Sequence, residues 1–145
     1  MKYFQQTHAS WIAEILPHLK AELAANNERW LFNETRQKTV RVQRNTQSIF
    51  LRGAKRLPGD MTDAREIQDS AETSSAPLFP RSMACLKKIA LESNAELCRA
   101  LYVRLAPHSV VYPHTDGGSY YAARDRYHLV IESPGGSILR CRVSR

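Results

Sequence analysis

The order of apolar and polar positions divides the chain into a helical beginning and a strand-rich end. Trp11, Ile12, Ile15, Leu16, Leu19 and Leu23 recur at helical spacing and form a one-sided stripe, with Ser10 as its expected cap. Pro17 falls inside that stripe and is expected to kink or divide the helix, and Asn26-Asn27 marks its exit. Residues 38–43 (KTVRVQ) and 47–51 (QSIFL) alternate and are rich in β-formers, which predicts two strands joined by a turn at 44–46. Residues 53–80 hold Gly, Pro, Ser, Thr and Asp with little apolar periodicity. Such a stretch reads as a lid or a mobile insertion, interrupted by a short helix near 62–68.

A second helical pattern follows at 80–94, with Met83, Leu86, Ile89, Ala90 and Leu91 turned inward. Beyond it the period shortens. The runs 97–105, 109–112, 127–132 and 137–143 read as short strands separated by Pro and Gly turns, which points to an antiparallel sheet, sandwich or barrel. The fold class expected is therefore α+β in one domain over 1–145. Its parts are a helix in 1–27, strands in 28–52, a loop or lid in 53–80, and a helix plus strands in 81–145.

Composition narrows the field. A chain of 145 residues with 43% hydrophobic and 24% charged residues is ordinary for a globular domain large enough to bury a core. No apolar run reaches the length of a membrane span, and the first residues lack the pattern of a secretory signal, so a cytoplasmic protein is expected. The net charge of +7 is spread thinly: residues 1–80 carry 11 basic and 9 acidic side chains, and residues 81–145 carry 10 and 5. Nucleic-acid binders more often gather their charge on one face, which leaves solvated surface as the default and anionic small molecules as reasonable partners. Cys85, Cys98 and Cys141 are odd in number and widely spaced, so they suggest neither a zinc ribbon nor a disulfide framework.

The chemistry concentrates in YPHTDGGSYYAARDRYHLVI, residues 112–131. On an extended segment, residues two apart face the same side, so His114 and Asp116 can present an imidazole and a carboxylate together. Histidines and a carboxylate with open positions are the ligands of non-haem iron oxygenases. Gly117-Gly118 then allows a sharp turn. Arg126 and His128 repeat the spacing and place two donors on one face, an arrangement suited to a bound carboxylate. Taken singly, His114 and Asp116 read equally well as turn residues, and Arg126 and His128 as solvated polar groups. Their order along the chain is the stronger signal.

The segments RALYVRLAPHSVVYPHTDGG and RDRYHLVIESPGG, with TVRVQRNTQSIFLRG and Trp30 upstream and a helix near 81–92, resemble the aspartyl/asparaginyl β-hydroxylase family over residues 28–140. The resemblance implies a double-stranded β-helix (jelly-roll, cupin-like), of which this chain would carry the first strands. It implies an Fe(II)- and 2-oxoglutarate-dependent dioxygenase that hydroxylates an Asp, Asn, Pro or related side chain, in a peptide or as a free amino acid. His114 and Asp116 would be metal ligands, although some members of the family lack the acid. Arg126 and His128 would contact the 2-oxoglutarate carboxylates or support their pocket.

The family also needs a second iron-binding histidine on a later strand. None follows His128 in the remaining seventeen residues, and His8, His18 and His108 match nothing in the motif. The expectation is a C-terminally incomplete member that is inactive as given for want of the distal histidine, with an unpaired strand edge near 137–143 open to self-association. The alternative is a non-catalytic, degenerate jelly-roll that binds an anionic ligand or a partner protein.

Overall fold

The computed structural model describes residues 10–34, 37, 38 and 40–139. Helix α1 runs over Ser10–Ala25. Its apolar stripe is the face turned from solvent, with Leu19 fully buried. Ser10 lies within the first turn rather than before it, and the helix continues through Pro17. The exit at Asn26 is built by its side chain, whose Nδ2 donates to the Glu22 carbonyl at 2.9 Å and to the Leu78 carbonyl at 3.2 Å. A 3-10 turn over Asn27–Leu31 then carries Trp30 into the core.

Strand β1 is Thr46–Ala54, β2 is Ser70–Glu72 and β3 is Ala100–Leu105. Among the described residues they form one antiparallel sheet in the order β2-β1-β3. Phe50 pairs with Leu101 and Arg52 with Ala100, so Leu51 is an extra residue that bulges toward the core. Helix α2, Pro80–Glu92, packs against α1, and its Met83 joins Ile49 and Leu51 of β1 in the core. The core joins Trp30, Ile49, Leu51, Ala76, Phe79 and Met83, with Leu23, Leu86, Leu97 and Tyr102 at its margin. Tyr102 closes it with a polar edge, its hydroxyl 2.7 Å from Ser82 Oγ, and burial raises its pKa.

Helix α2 begins at a proline and receives its cap from another element. The Glu22 carboxylate of α1 accepts the Arg81 N–H at 2.6 Å, the Ser82 N–H at 2.9 Å and the Ser82 hydroxyl at 2.5 Å. A carboxylate there satisfies free amides and meets the positive end of the helix dipole. At the other end Trp11 Nε1 donates to Glu92 at 3.0 Å, with Lys88 over the indole ring. The two helices are thus tied at both ends.

Several expectations need correction. Residues 41–43, read as part of a strand at 38–43, form a 3-10 turn; their alternation is real, but Val40 and Arg41 face solvent and only Gln43 is buried. Among its described residues the block 28–52 holds one strand, with two 3-10 turns before it and residues 37 and 38 helical. The 53–80 segment is not a structureless loop, since it contains β2 and two further 3-10 turns at Ala64–Glu66 and Ala76–Leu78. The helix expected near 62–68 is the first of these turns, capped by Asp63, whose carboxylate Arg65 holds down at about 2. Leu91 is exposed rather than inward. Residues 109–112, 127–132 and 137–139 adopt no strand, and 140–143 lie outside the described residues. No helix among the described residues is long and apolar enough to cross a membrane.

Candidate metal centre

Residues 106–118 leave the end of β3 through a turn at 107–108 and return to where β1 begins, Val110 receiving Asn45 Nδ2 on its carbonyl at 3.4 Å. The path is fixed at its start by Ala106 N–H donating to the Asn45 carbonyl at 3.2 Å, and by His108 in a left-handed turn at φ 56°. It brings His114 against Gln43, in the 3-10 turn that enters β1.

The hydrogen bonds at His114 orient its ring. Nδ1 lies 2.7 Å from the Tyr112 carbonyl oxygen, which can only accept, so the ring proton sits on Nδ1. Nε2 faces the Gln43 side-chain nitrogen at 3.4 Å and an Asp116 oxygen, Oδ1, at 3.9 Å. An imidazole with Nδ1–H on a backbone carbonyl and a basic Nε2 turned to a carboxylate has the orientation seen at metal-binding histidines. The other carboxylate oxygen, Oδ2, is hydrogen-bonded to Arg126 Nη1. Arg126 also lies over the Tyr121 ring, 5.0 Å from its centroid.

His114 and Asp116, two apart, lie side by side, and the loop that follows returns Arg126 to Asp116. No contact is drawn between His128 and this trio, but the charges of Arg126 and Asp116 reach it. Desolvation and then Arg126 lower its pKa below the usual 6.5, and Asp116 opposes them. His18 is exposed on α1 and His108 is exposed in its turn, while His8 lies outside the described residues.

The loop that carries Asp116 and Arg126 is bolted to the 63–68 segment. Gly118, at φ 102°, lies so close to that segment that a Cβ would stand 2.6 Å from Arg65 Cβ and 2.8 Å from the Arg65 carbonyl oxygen. Ser119 receives Gln68 Nε2 on its hydroxyl at 2.8 Å and donates its N–H to Glu66 at 3.2 Å. The short helix α3, Ser119–Ala122, then buries Tyr120 between two guanidinium groups, Arg99 at 3.6 Å and Arg124 at 4.2 Å from the ring centroid. Arg99 Nη2 in turn donates to the carbonyls of Ala64 and Ile67 at 2.6 and 2.7 Å.

A separate polar cleft of about 270 Å³ lies beyond this clamp, lined by Lys55, Gln68 and Arg124 among others, with Cys98 in its wall. Arg124 Nε meets Cys98 Sγ at 3.3 Å, and this contact raises the arginine's pKa. Cys85 is buried, which pushes its thiol pKa up, and Cys141 is outside the described residues.

The family model for aspartyl/asparaginyl beta-hydroxylase matches residues 15–145. The chain belongs to that family. No curated protein and no solved structure matches it. The family is one of hydroxylases, and the match covers the whole segment in which His114, Asp116, Arg126 and His128 lie. Tested on its own donors, the candidate site offers an imidazole nitrogen and a carboxylate oxygen side by side, which suits a borderline-to-hard divalent metal. Among the described residues, no third His, Cys, Asp or Glu joins them. The fit is thus to a two-point anchorage.

Proposed function

We propose that this hydroxylase-family chain binds Fe(II) and 2-oxoglutarate and hydroxylates an amino-acid side chain of the Asp, Asn or Pro type, in a peptide or free. The observation that carries the reading is the placement of His114: its Nδ1 is hydrogen-bonded to the Tyr112 carbonyl, and its Nε2 faces Asp116. His114 and Asp116 would hold the metal, Arg126 would hold a cosubstrate carboxylate, and His128 would support that pocket. When bound, the iron supplies the oxidising chemistry that couples decarboxylation of 2-oxoglutarate to hydroxylation.

The chain's own residues do the positioning. The Tyr112 carbonyl fixes the ring of His114 through Nδ1, which leaves Nε2 turned to the Asp116 side of the site. Asp116 faces two ways, one oxygen toward His114 and the other on Arg126. Arg126 thereby holds the carboxylate in place and keeps further N–H donors for an anionic ligand. The lowered pKa of His128 favours its neutral form near pH 7, in which it can accept or donate one hydrogen bond.

A second reading, a non-catalytic module that binds an anion or a partner protein, is favoured by the Arg126–Asp116 pair, which already satisfies both charges without metal. Self-association is a further proposal, supported by β3 as an edge strand whose Leu101, Val103 and Leu105 are exposed on one face. Succinate release separates catalyst from binder. Incubation of the purified chain with Fe(II), 2-oxoglutarate and air should yield succinate, stimulated by Asp-, Asn- or Pro-containing peptides and lost in His114→Ala. Absence of succinate from folded, iron-loaded protein across such peptides would favour the binding module.

A further inference from the structure

The hydroxylase motif supplies two donors, and the site contains a third polar group that the motif does not include. Gln43 is 7% exposed, a long polar side chain taken out of water. Its amide reaches His114 Nε2 at 3.4 Å, on the side of the ring that also faces Asp116. Donors bonded to one metal at about 2.1 Å stand about 3 Å apart when adjacent and about 4.2 Å apart when opposite. The Gln43–His114 separation of 3.4 Å and the His114–Asp116 separation of 3.9 Å both fall inside that span.

We propose that Gln43 is the third protein donor of this centre, giving its side-chain oxygen to the divalent metal held by His114 and Asp116. The inference rests on the proposed metal-binding function and supplies the donor that the motif lacks.

The amide has to turn by half a rotation to present Oε1, and Thr46 makes that turn cheap. Thr46 Oγ1 donates its proton to the Gln43 backbone carbonyl at 2.7 Å, and its oxygen lies 3.3 Å from Gln43 Oε1. A hydroxyl whose proton is committed elsewhere still has lone pairs, so it accepts from the amide NH2 once the amide has turned. Without metal the NH2 donates to the free Nε2 of His114; with metal it donates to Thr46, and Oε1 takes its place in the site. With metal both ends of the buried amide have a partner, Oε1 on the metal and the NH2 on Thr46, whereas without metal Oε1 has only the longer 3.3 Å approach of Thr46 Oγ1. An amide carbonyl is a hard oxygen donor, suited to Fe(II), Mn(II) or Co(II) beside a carboxylate.

Co(II) is the probe, because it is stable in air and its visible absorbance reports coordination. The full chain is titrated without 2-oxoglutarate, alongside His114→Ala, Gln43→Leu and Gln43→Glu, with each fold checked by circular dichroism. The parent should bind and His114→Ala should not. Gln43→Leu should weaken Co(II) by at least about tenfold, and Gln43→Glu, which replaces the amide by an anionic oxygen donor, should bind at least as tightly as the parent. Parent-like affinity in folded Gln43→Leu overturns the proposal while leaving the His114–Asp116 site standing. If Gln43→Leu does not fold, Gln43→Glu decides, and binding weaker than the parent overturns it. Failure of the folded parent to bind Co(II) overturns both this inference and the function on which it rests.

Discussion

Asp116 divides its carboxylate between two partners: Oδ2 accepts from Arg126 Nη1, and Oδ1 stands 3.9 Å from the Nε2 of His114. One acid thus connects the imidazole of the motif to its guanidinium, the proposed metal side to the proposed anion side. Replacing either partner should therefore have separable effects.

Arg126→Gln is expected to lower 2-oxoglutarate affinity by about 10- to 100-fold, the loss of one charge-assisted hydrogen bond to a carboxylate. Metal binding without cosubstrate should persist, since Oδ1 and His114 are untouched. Calorimetric titration of metal and cosubstrate separately checks this. Equal loss of both would mean that the arginine holds the metal ligands themselves in place.

The Gly118 close approach makes a stability prediction. Its backbone, at φ 102° and ψ 156°, is one that L side chains rarely adopt, and its Cβ position is occupied by Arg65. Gly118→Ala should cost about 1–3 kcal/mol in urea unfolding. A neutral result would show that the 63–68 segment does not press on the motif loop.

Glu22 makes a second, independent stability prediction. Its carboxylate caps α2 across the helix pair, so Glu22→Ala should cost about 1–2 kcal/mol. Adding Ser82→Ala to Glu22→Ala should then cost less than Ser82→Ala does in the parent, because the two share a hydrogen bond of 2.5 Å. Strict additivity in the double-mutant cycle would refute the shared cap.

Much of the scaffold was legible in the sequence because single physical signals determined it. The apolar stripe from Trp11 to Leu23 gave α1, and the run QSIFL gave the centre of β1. The stretch 41–43 misled because alternation alone does not distinguish a strand from a tight turn with one buried side chain, here Gln43. The runs 109–112 and 127–132 have strand composition, yet pairing is a property of neighbours that the sequence of one segment does not encode. At the site, the two-apart spacing accords with His114 lying near Asp116, but it paired Arg126 with His128 and did not indicate the Arg126–Asp116 contact. It could not indicate Gln43, which lies 71 residues upstream and matches no ligand motif.

His128 sets a pH dependence. Its folded pKa is lowered, so below the ordinary value of 6.5 the unfolded chain binds the proton more readily than the folded one. Stability should be flat above about pH 7, fall as pH drops through 6.5, and level off below the folded pKa. His128→Gln should remove that component, as followed by chemical denaturation between pH 5 and 8. An unchanged slope in the variant would assign the effect to other groups.

The most direct measurement is an anaerobic titration of the purified 145-residue chain with Fe(II) and 2-oxoglutarate, following visible charge-transfer absorbance, with His114→Ala beside it. The account predicts a band that requires both additions and is lost in the variant. A folded chain that gives no band, or one that gives the same band without His114, contradicts it.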